Sequence, residues 1–328
     1  MIASHPSATA FHTSAWARVL TETYGHKPYY LQLGDAGETS VSLPLLEVNS
    51  PLTGRRGVSL PFTDVCPPLV SGSFAHDSLG EELSALAEER SWKHFELRGA
   101  DWLRGVAPAA ASFYGHKLAL TTSINDLEKQ LASNVRRNVR KAERSGVTAE
   151  VTDGRDAVLK FYKLLVRTRR RHGVPPQSRK FFLKIHEHLI APGHAFVVLA
   201  HRKQRPLAGA IYFRFQGNAL YKFGASDERL QEFRASTLVM WTAIRHLAET
   251  GATQLHFGRT DLDAAGLRRF KLAWGAEEEM IEYFRFQRDT AGWSTAKRDL
   301  VGQTRRVFRN LPLAVNRLIG TMVYPHLD

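Results

Sequence analysis

Three apolar segments, residues 195–200, 208–215 and 219–225, lie only a few residues apart, and that spacing constrains the fold more than any other feature of the chain. Segments so close together pair as antiparallel neighbours, because 202–206 and Gln216-Gly217-Asn218 carry the polar chemistry of tight reversals. Helical periodicity flanks this meander at 157–172 and 179–190 before it and at 236–250 after it, where Gly251 supplies a left-handed cap. Strand patterns at 254–258 and 282–287 finish the sheet. Helices on either side of a meander predict layered α/β structure.

The first half has a similar order. A helix at 13–24 buries Trp16, Val19 and Leu20; strands follow at 28–33, 41–46 and 57–60, then a helix at 78–89 and strands at 94–98 and 113–120. This α-βββ-α-ββ order, repeated, predicts a duplicated α/β unit. The expected division is an N-terminal domain at 1–122, a second domain at 123–290 entered through a basic joining helix at 123–145, and a basic amphipathic helical tail at 291–328.

On the joining helix Ser123 and Asp126 form a capping-box variant. Leu127, Leu131, Val135 and Val139 repeat every four residues, while Arg136, Arg137, Arg140, Lys141 and Arg144 take the other side. In the tail, Leu300, Val301, Thr304, Val307, Phe308 and Leu311 make one apolar stripe edged by Arg298, Arg305, Arg306 and Arg309. Beyond Pro312 the stripe continues through Ala314, Val315, Leu318, Ile319, Met322 and Val323. Such a pair of helices fits docking on the protein body and fits lying on anionic lipid equally well.

Charge narrows the partners. With 45 Lys and Arg against 32 Asp and Glu, the formal charge is +13, which favours polyanions: nucleic acid, anionic lipid or phosphorylated ligands. The single cysteine, Cys66, excludes an intramolecular disulfide and a cysteine-rich zinc site. His186 and His188 stand two apart on a helix and point to different faces, so no metal is expected. Residues 1–11 lack the basic start and apolar run of an export signal, and no apolar run approaches the roughly 18 residues of a spanning helix. A cytoplasmic protein that touches a membrane from one side at most is expected.

No Gly-rich phosphate loop, HExxH or Gly-x-Ser-x-Gly elbow is present, which removes support from the common kinase, dehydrogenase and hydrolase readings. The residues that remain are basic and aromatic. Arg167, Arg169, Arg170, Arg171 and His172 end a helix before Gly173-Val174-Pro175-Pro176; the helix dipole explains some cations there, but four arginines suit a pyrophosphate-bearing ligand. A strand running into Phe257-Gly258-Arg259-Thr260-Asp261, with a short helix beyond Gly266, brings polar side chains to the strand's C-terminal edge. Tyr221, Lys222 and Ser226 approach the same edge if the strands lie side by side, although Tyr212 and Tyr221 also fit as ordinary strand aromatics.

The stretch Ser133-Asn134-Val135-Arg136-Arg137-Asn138-Val139-Arg140-Lys141-Ala142-Glu143-Arg144-Ser145-Gly146 resembles the basic helix that enters the second domain of FemAB-type proteins, including their exosortase-associated branch. Phe11-His12-Thr13-Ser14 with Trp16, Leu60-Pro61-Phe62-Thr63-Asp64, the block 168–173, Phe257-Gly258-Arg259-Thr260 and Phe270-Lys271 with Trp274-Gly275 are similar to its other recurrent blocks. The resemblance implies a tandem GNAT-like α/β (α+β) fold, each domain a mixed sheet flanked by helices. It implies transfer of an aminoacyl or acyl group to an amine of a peptidoglycan or exopolysaccharide precursor, with the phosphorylated or lipid-linked precursor and an anionic membrane surface as partners.

The catalytic residues it implies are Lys271, Arg259 and Tyr221. The residues expected to bind donor or acceptor are Lys27, Arg136, Arg137, Arg140, Lys141, Arg167, Arg171, Lys222, Ser226, Asp261, Phe270 and Trp274. No permanently bound cofactor is expected; the donor is acyl-CoA or aminoacyl-tRNA. Arg229-Leu230-Gln231-Glu232-Phe233-Arg234-Ala235-Ser236 lacks the glycines with which an acetyl-CoA enzyme wraps pyrophosphate at a helix N-terminus, which favours another carrier. The rival class is a non-catalytic glycan- or anionic-lipid-binding protein that keeps the fold.

Overall fold

A computed structural model of the chain describes residues 2, 5–34, 41–72, 76–295 and 305–327. In chain order the elements are α1 (Ser14–Tyr24), β1 (Lys27–Leu33), β2 (Val41–Ser50), β3 (Gly54–Val58), β4 (Leu69–Val70), α2 (His76–Glu89), β5 (His94–Arg98) and β6 (Ala111–Ala119). There follow α3 (Ile124–Gln130), α4 (Ser133–Arg144), β7 (Thr148–Thr152), α5 (Arg155–Arg171), α6 (Arg179–Ile185), β8 (Ala195–Arg202), β9 (Arg205–Phe215), β10 (Asn218–Ser226) and α7 (Ala235–Glu249). The last are β11 (Gln254–His256), β12 (Thr260–Asp261), α8 (Ala265–Leu272), β13 (Glu277–Gln287), β14 (Gly292–Ser294), α9 (Arg305–Asn310) and α10 (Leu313–Val323).

These form two compact units: residues 1–114, 280–299 and 323–328, and residues 115–279 and 300–322. The division differs from the expected boundaries at 122/123 and 290/291, because β6 and β13 each contribute to both units and the tail is shared. Of the expected tail stripe, Arg298, Leu300, Val301 and Thr304 lie outside the described residues.

In the first unit β1, β2, β3, β5 and β13 pair in that order, antiparallel except for β3 with β5. Nearly every residue of β2 is buried. Its centre holds charge: Glu96 accepts hydrogen bonds from Arg98 at 2.9 Å and Arg285 at 2.6 Å. Arg98 also donates to the carbonyl of Thr63 at 3.1 Å, so the 60–64 block is held by the core.

The second unit is the richer one. Its sheet runs β6, β11, β10, β9, β8, β7, antiparallel except for β10 with β11. The meander is as the spacing dictates, with Lys203 and Gln204 both at positive φ in the first reversal and Gln216 beside Gly217 in the second. Such dihedrals suit hairpin turns whose twist matches the strands. Strand alternation divides the core: Phe196, Ala210 and Tyr212 pack with α4 and α7, while Phe223 meets Phe181 and Phe182 of α6 on the opposite face.

Two expectations need correction. The joining helix is two helices, since Leu131 and Ala132 are extended and the Ala132 N–H donates to the carbonyl of Ala273 at 3.0 Å. Four-residue spacing could not register the break, because Leu127, Leu131, Val135 and Val139 still reach one core across it. The strand β7, absent from the sequence reading, precedes α5 as the edge of the sheet.

Candidate functional site

The chemistry of the second unit begins where β10 and β11 part. Their parallel ladder covers only Asn218–Leu220 against Gln254–His256, yet β10 continues to Ser226 with a register shift between Tyr221 and Phe223. The free half of β10 is held from below by Thr168 of α5, whose hydroxyl accepts from the Ser226 N–H and donates to the Ser226 carbonyl, both at 3.1 Å. One buried side chain thereby fixes the C-terminal turn of α5 to the end of β10.

A cleft of about 680 Å³ opens beside that joint, lined by Arg167, Arg170, Arg171, Ser226, Asp227, Glu228, Arg229, Arg309 and Leu313. Arg167, Arg170 and Arg171 reach it together because they are spaced three and four apart on α5. Asp227 organises the far wall. Its buried carboxylate accepts from Arg229 at 2.7 Å and Arg205 at 3.1 Å, and these bonds hold its pKa far below the usual carboxylate range. Glu228 lies 3.8 Å from Arg171. Among the described residues no carboxylate stands within ion-pair distance of Arg170 or Arg309, so the cleft keeps positive charge for a ligand.

A smaller recess of about 160 Å³ adjoins it through Ser226 and Asp227 and reaches the N-terminus of α7. Here the missing glycines matter less than expected: a 3₁₀ turn at Glu228–Phe233 leads to Arg234 in the left-handed conformation, φ 55° and ψ 26°. A non-glycine residue adopts that region at a cost of roughly 1 kcal/mol. The N–H groups of Thr237 and Leu238 donate to the Arg234 carbonyl, at 3.0 and 3.3 Å, and the N-terminal residues Ala235, Ser236 and Thr237 line the recess at the positive end of the helix dipole.

Beyond β11 stands a turn built around Lys271. Although Lys271 is 2% exposed, its ammonium donates to the carbonyls of Gly258 at 2.7 Å and Arg259 at 3.0 Å. His256 supports the same turn by accepting the Gly258 N–H at 2.9 Å on Nδ1, which leaves Nε2 to donate to Glu279 at 3.3 Å. Burial works against charge on Glu279, but hydrogen bonds from His256 and Lys117 bring its pKa down to about 2. On the neighbouring residue, Glu278 pairs with Arg268 at 2.6 Å and with buried His116 at 3.2 Å.

The expected residues are therefore distributed. Arg167, Arg171 and Ser226 converge on the arginine cleft, joined by Arg170, Arg229, Arg309 and Asp227. Lys271 lies instead in the buried turn with exposed Arg259 and Asp261. Tyr221 is level with Phe257 if the β10/β11 register is extended by one, and it packs on Tyr212 at 5.5 Å; burial pushes its hydroxyl up to about 12. Lys222 lies over the Phe223 ring. Phe270 and Trp274 pack edge to face in the core.

Arg137, Arg140 and Lys141 are exposed on α4, with Arg140 3.5 Å from Glu128 and Arg136 bonded to the Glu128 carbonyl. Lys27 is exposed at the start of β1, in the first unit. Sequence reasoning missed Asp227. Its only signal was an acidic residue at a strand's end followed by Arg229.

Residues 129–283 match the family described as acetyltransferase (GNAT) domain. Among solved structures the chain is similar to FemX, with a TM-score of 0.66 and 17% identity over 86% of this chain and 93% of that one. The fold is FemAB-like GNAT. A tandem GNAT protein from clavulanic acid biosynthesis matches at TM-score 0.54 and 12% identity, over 80% of this chain and 83% of its own. The C-terminal domain of a putative lysylphosphatidylglycerol synthetase from Agrobacterium fabrum matches at 0.55 and 12%, over 82% and 86%. No curated protein matches the chain. The FemAB-like GNAT fold accounts for the α/β layers and the helices on both sheet faces. Among the described residues no helix is long and apolar enough to cross a membrane.

Proposed function

We propose that this FemAB-like GNAT protein is an N-acyltransferase whose phosphate-bearing donor, acyl-CoA or aminoacyl-tRNA, is held by the arginine cleft of the second unit. The observation that carries the reading is that cleft, where five arginines gather at the open end of β10 and two of them lack a carboxylate partner among the described residues. Arg matches phosphate oxygens with a planar fork. The acceptor is an amine of a phosphorylated or lipid-linked cell-wall or exopolysaccharide precursor, met at the inner face of the membrane. The fold shared with the putative lysylphosphatidylglycerol synthetase domain supports an aminoacyl group, and the acetyltransferase (GNAT) match over 129–283 supports acetyl.

In the transfer step the acceptor amine attacks the donor carbonyl, a C–N bond forms as the C–S or C–O bond breaks, and the amine proton leaves with the thiol or ribose hydroxyl. Positioning and electrostatics supply most of the rate for an ester that is already activated. Lys271 holds the 258–259 turn that carries exposed Arg259 beyond β11. Half-buried Arg136 and exposed Arg137, Arg140 and Lys141 extend the basic surface along α4 for a long polyanion.

Two measurements test this. Titration with acetyl-CoA and with aminoacyl-tRNA should give binding by one of them that weakens with salt, and Arg170→Gln with Arg309→Gln should lower affinity about tenfold with a shallower salt slope. Unchanged affinity in that variant would remove the cleft from the reaction. Mass spectrometry of envelope precursors from cells with and without the gene should show the transferred group; identical precursors would favour the binding-protein reading.

A further inference from the structure

Helix α10 docks on the second unit with the opposite face from the one its sequence pattern favours. Its buried residues are Asn316 and Gly320, one turn apart. Asn316 Nδ2 donates to the Phe308 carbonyl at 2.7 Å, which clasps α9 to α10 across Pro312. At Gly320 the helix approaches so closely that an added Cβ would strike the carbonyl of Pro176. Polar and small residues thus make the seat.

Leu313, Ile319 and Val323 are half-buried, but the other large apolar residues point away from the seat. Val315, Leu318 and Met322, spaced three and four apart, are 39%, 62% and 64% exposed, and Val307 of α9 is 58% exposed. Arg306 is exposed beside Val307, whereas Arg309 lines the arginine cleft and Arg317 lies over the Tyr162 ring of α5. A helix that only completes a core buries its apolar stripe. An outward apolar stripe on a strongly basic chain instead suits a helix lying in a membrane interface.

We propose that α9 and α10 form an interfacial anchor, laying Val307, Val315, Leu318 and Met322 into the boundary between headgroups and acyl chains of an anionic bilayer. Arg306 meets the lipid phosphates. Charge complementarity selects this occupant: in a two-fold pairing a second copy would bring its own Arg306 and its own formal charge of +13 against this one, whereas anionic lipid attracts both. A nucleic acid would engage the arginines and leave the apolar stripe in water. The anchor extends the reading of a membrane-borne acceptor, but it is read by vesicle binding alone, so either can fail without the other.

The test uses the full chain with vesicles of phosphatidylcholine, and of phosphatidylcholine mixed equally with phosphatidylglycerol. Sedimentation should show binding to the mixed vesicles at low salt and release as salt rises. Leu318→Gln with Met322→Gln should weaken that binding on the order of tenfold or more, since two largely exposed side chains lose their transfer into the interface. The thermal melt should be unchanged, because neither residue is buried. Equal binding by the variant, or no binding by the wild type, overturns the proposal. So does a wild-type dimer that the same variant dissolves and that ignores vesicles, which would assign the stripe to a second copy.

Discussion

Replacement of Lys271 by Met keeps the length of the apolar stem and removes only the ammonium, so it isolates what that group does. In the folded protein the ammonium satisfies two backbone carbonyls, Gly258 at 2.7 Å and Arg259 at 3.0 Å. Gly258 is buried, so its carbonyl would lose a charged donor with no solvent to replace it; Arg259 is exposed and its carbonyl can turn to water. A hydrogen bond to a charged group contributes about 1.5–3 kcal/mol, and the second site retains part of its share, giving a loss of about 2–4 kcal/mol. For a unit of this size the melting temperature should then fall by roughly 5–12 °C. Lys271→Arg should recover little of it, because the planar fork cannot occupy a buried point-charge position.

Differential scanning calorimetry reads the stability, and steady-state kinetics with the donor found by titration reads the chemistry. Loss of turnover should accompany the loss of stability, since the same carbonyls shape the turn beyond β11. A Met variant that melts with the wild type refutes the clamp. If that variant also turned over normally, Lys271 would have no part in transfer, and Arg259 would be the next residue to replace.

Asp227→Asn should lower stability by about 1–2 kcal/mol in a denaturant titration, a modest figure because its arginine partners are largely solvated. An unchanged midpoint would mean that Arg205 and Arg229 hold their places without the acid. For Glu279 the folded pKa of about 2 lies below its ordinary value of 4.5, so its extra stability is fully present above pH 4.5 and is lost as pH falls through that interval. Glu279→Gln should flatten the acid limb of the stability curve there, and an identical limb in the variant would show that His256 and Lys117 do not hold the charge.

The layered α/β fold was legible because hydrophobic patterning is local: β8 and β9 are runs buried over most of their length, β10 is mixed in burial, and tight turns at positive φ join the three. The basic clusters were equally legible as composition, since Arg167, Arg170 and Arg171 share a helix face by spacing alone. What the sequence could not rank was which cations meet. Arg309 joins that face from a helix 138 residues further on than Arg171, and Asp227 joins it from a strand end, because tertiary packing brings distant segments to one cleft. The break at Leu131 and Ala132 was hidden for a related reason, as its signature is a hydrogen bond to Ala273 and not a change of pattern. The tail shows the same limit most plainly. The amphipathic stripe in 313–323 was visible in the sequence, but its direction was decided by Gly320 meeting Pro176 backbone to backbone, a contact in which shape outweighs hydrophobicity.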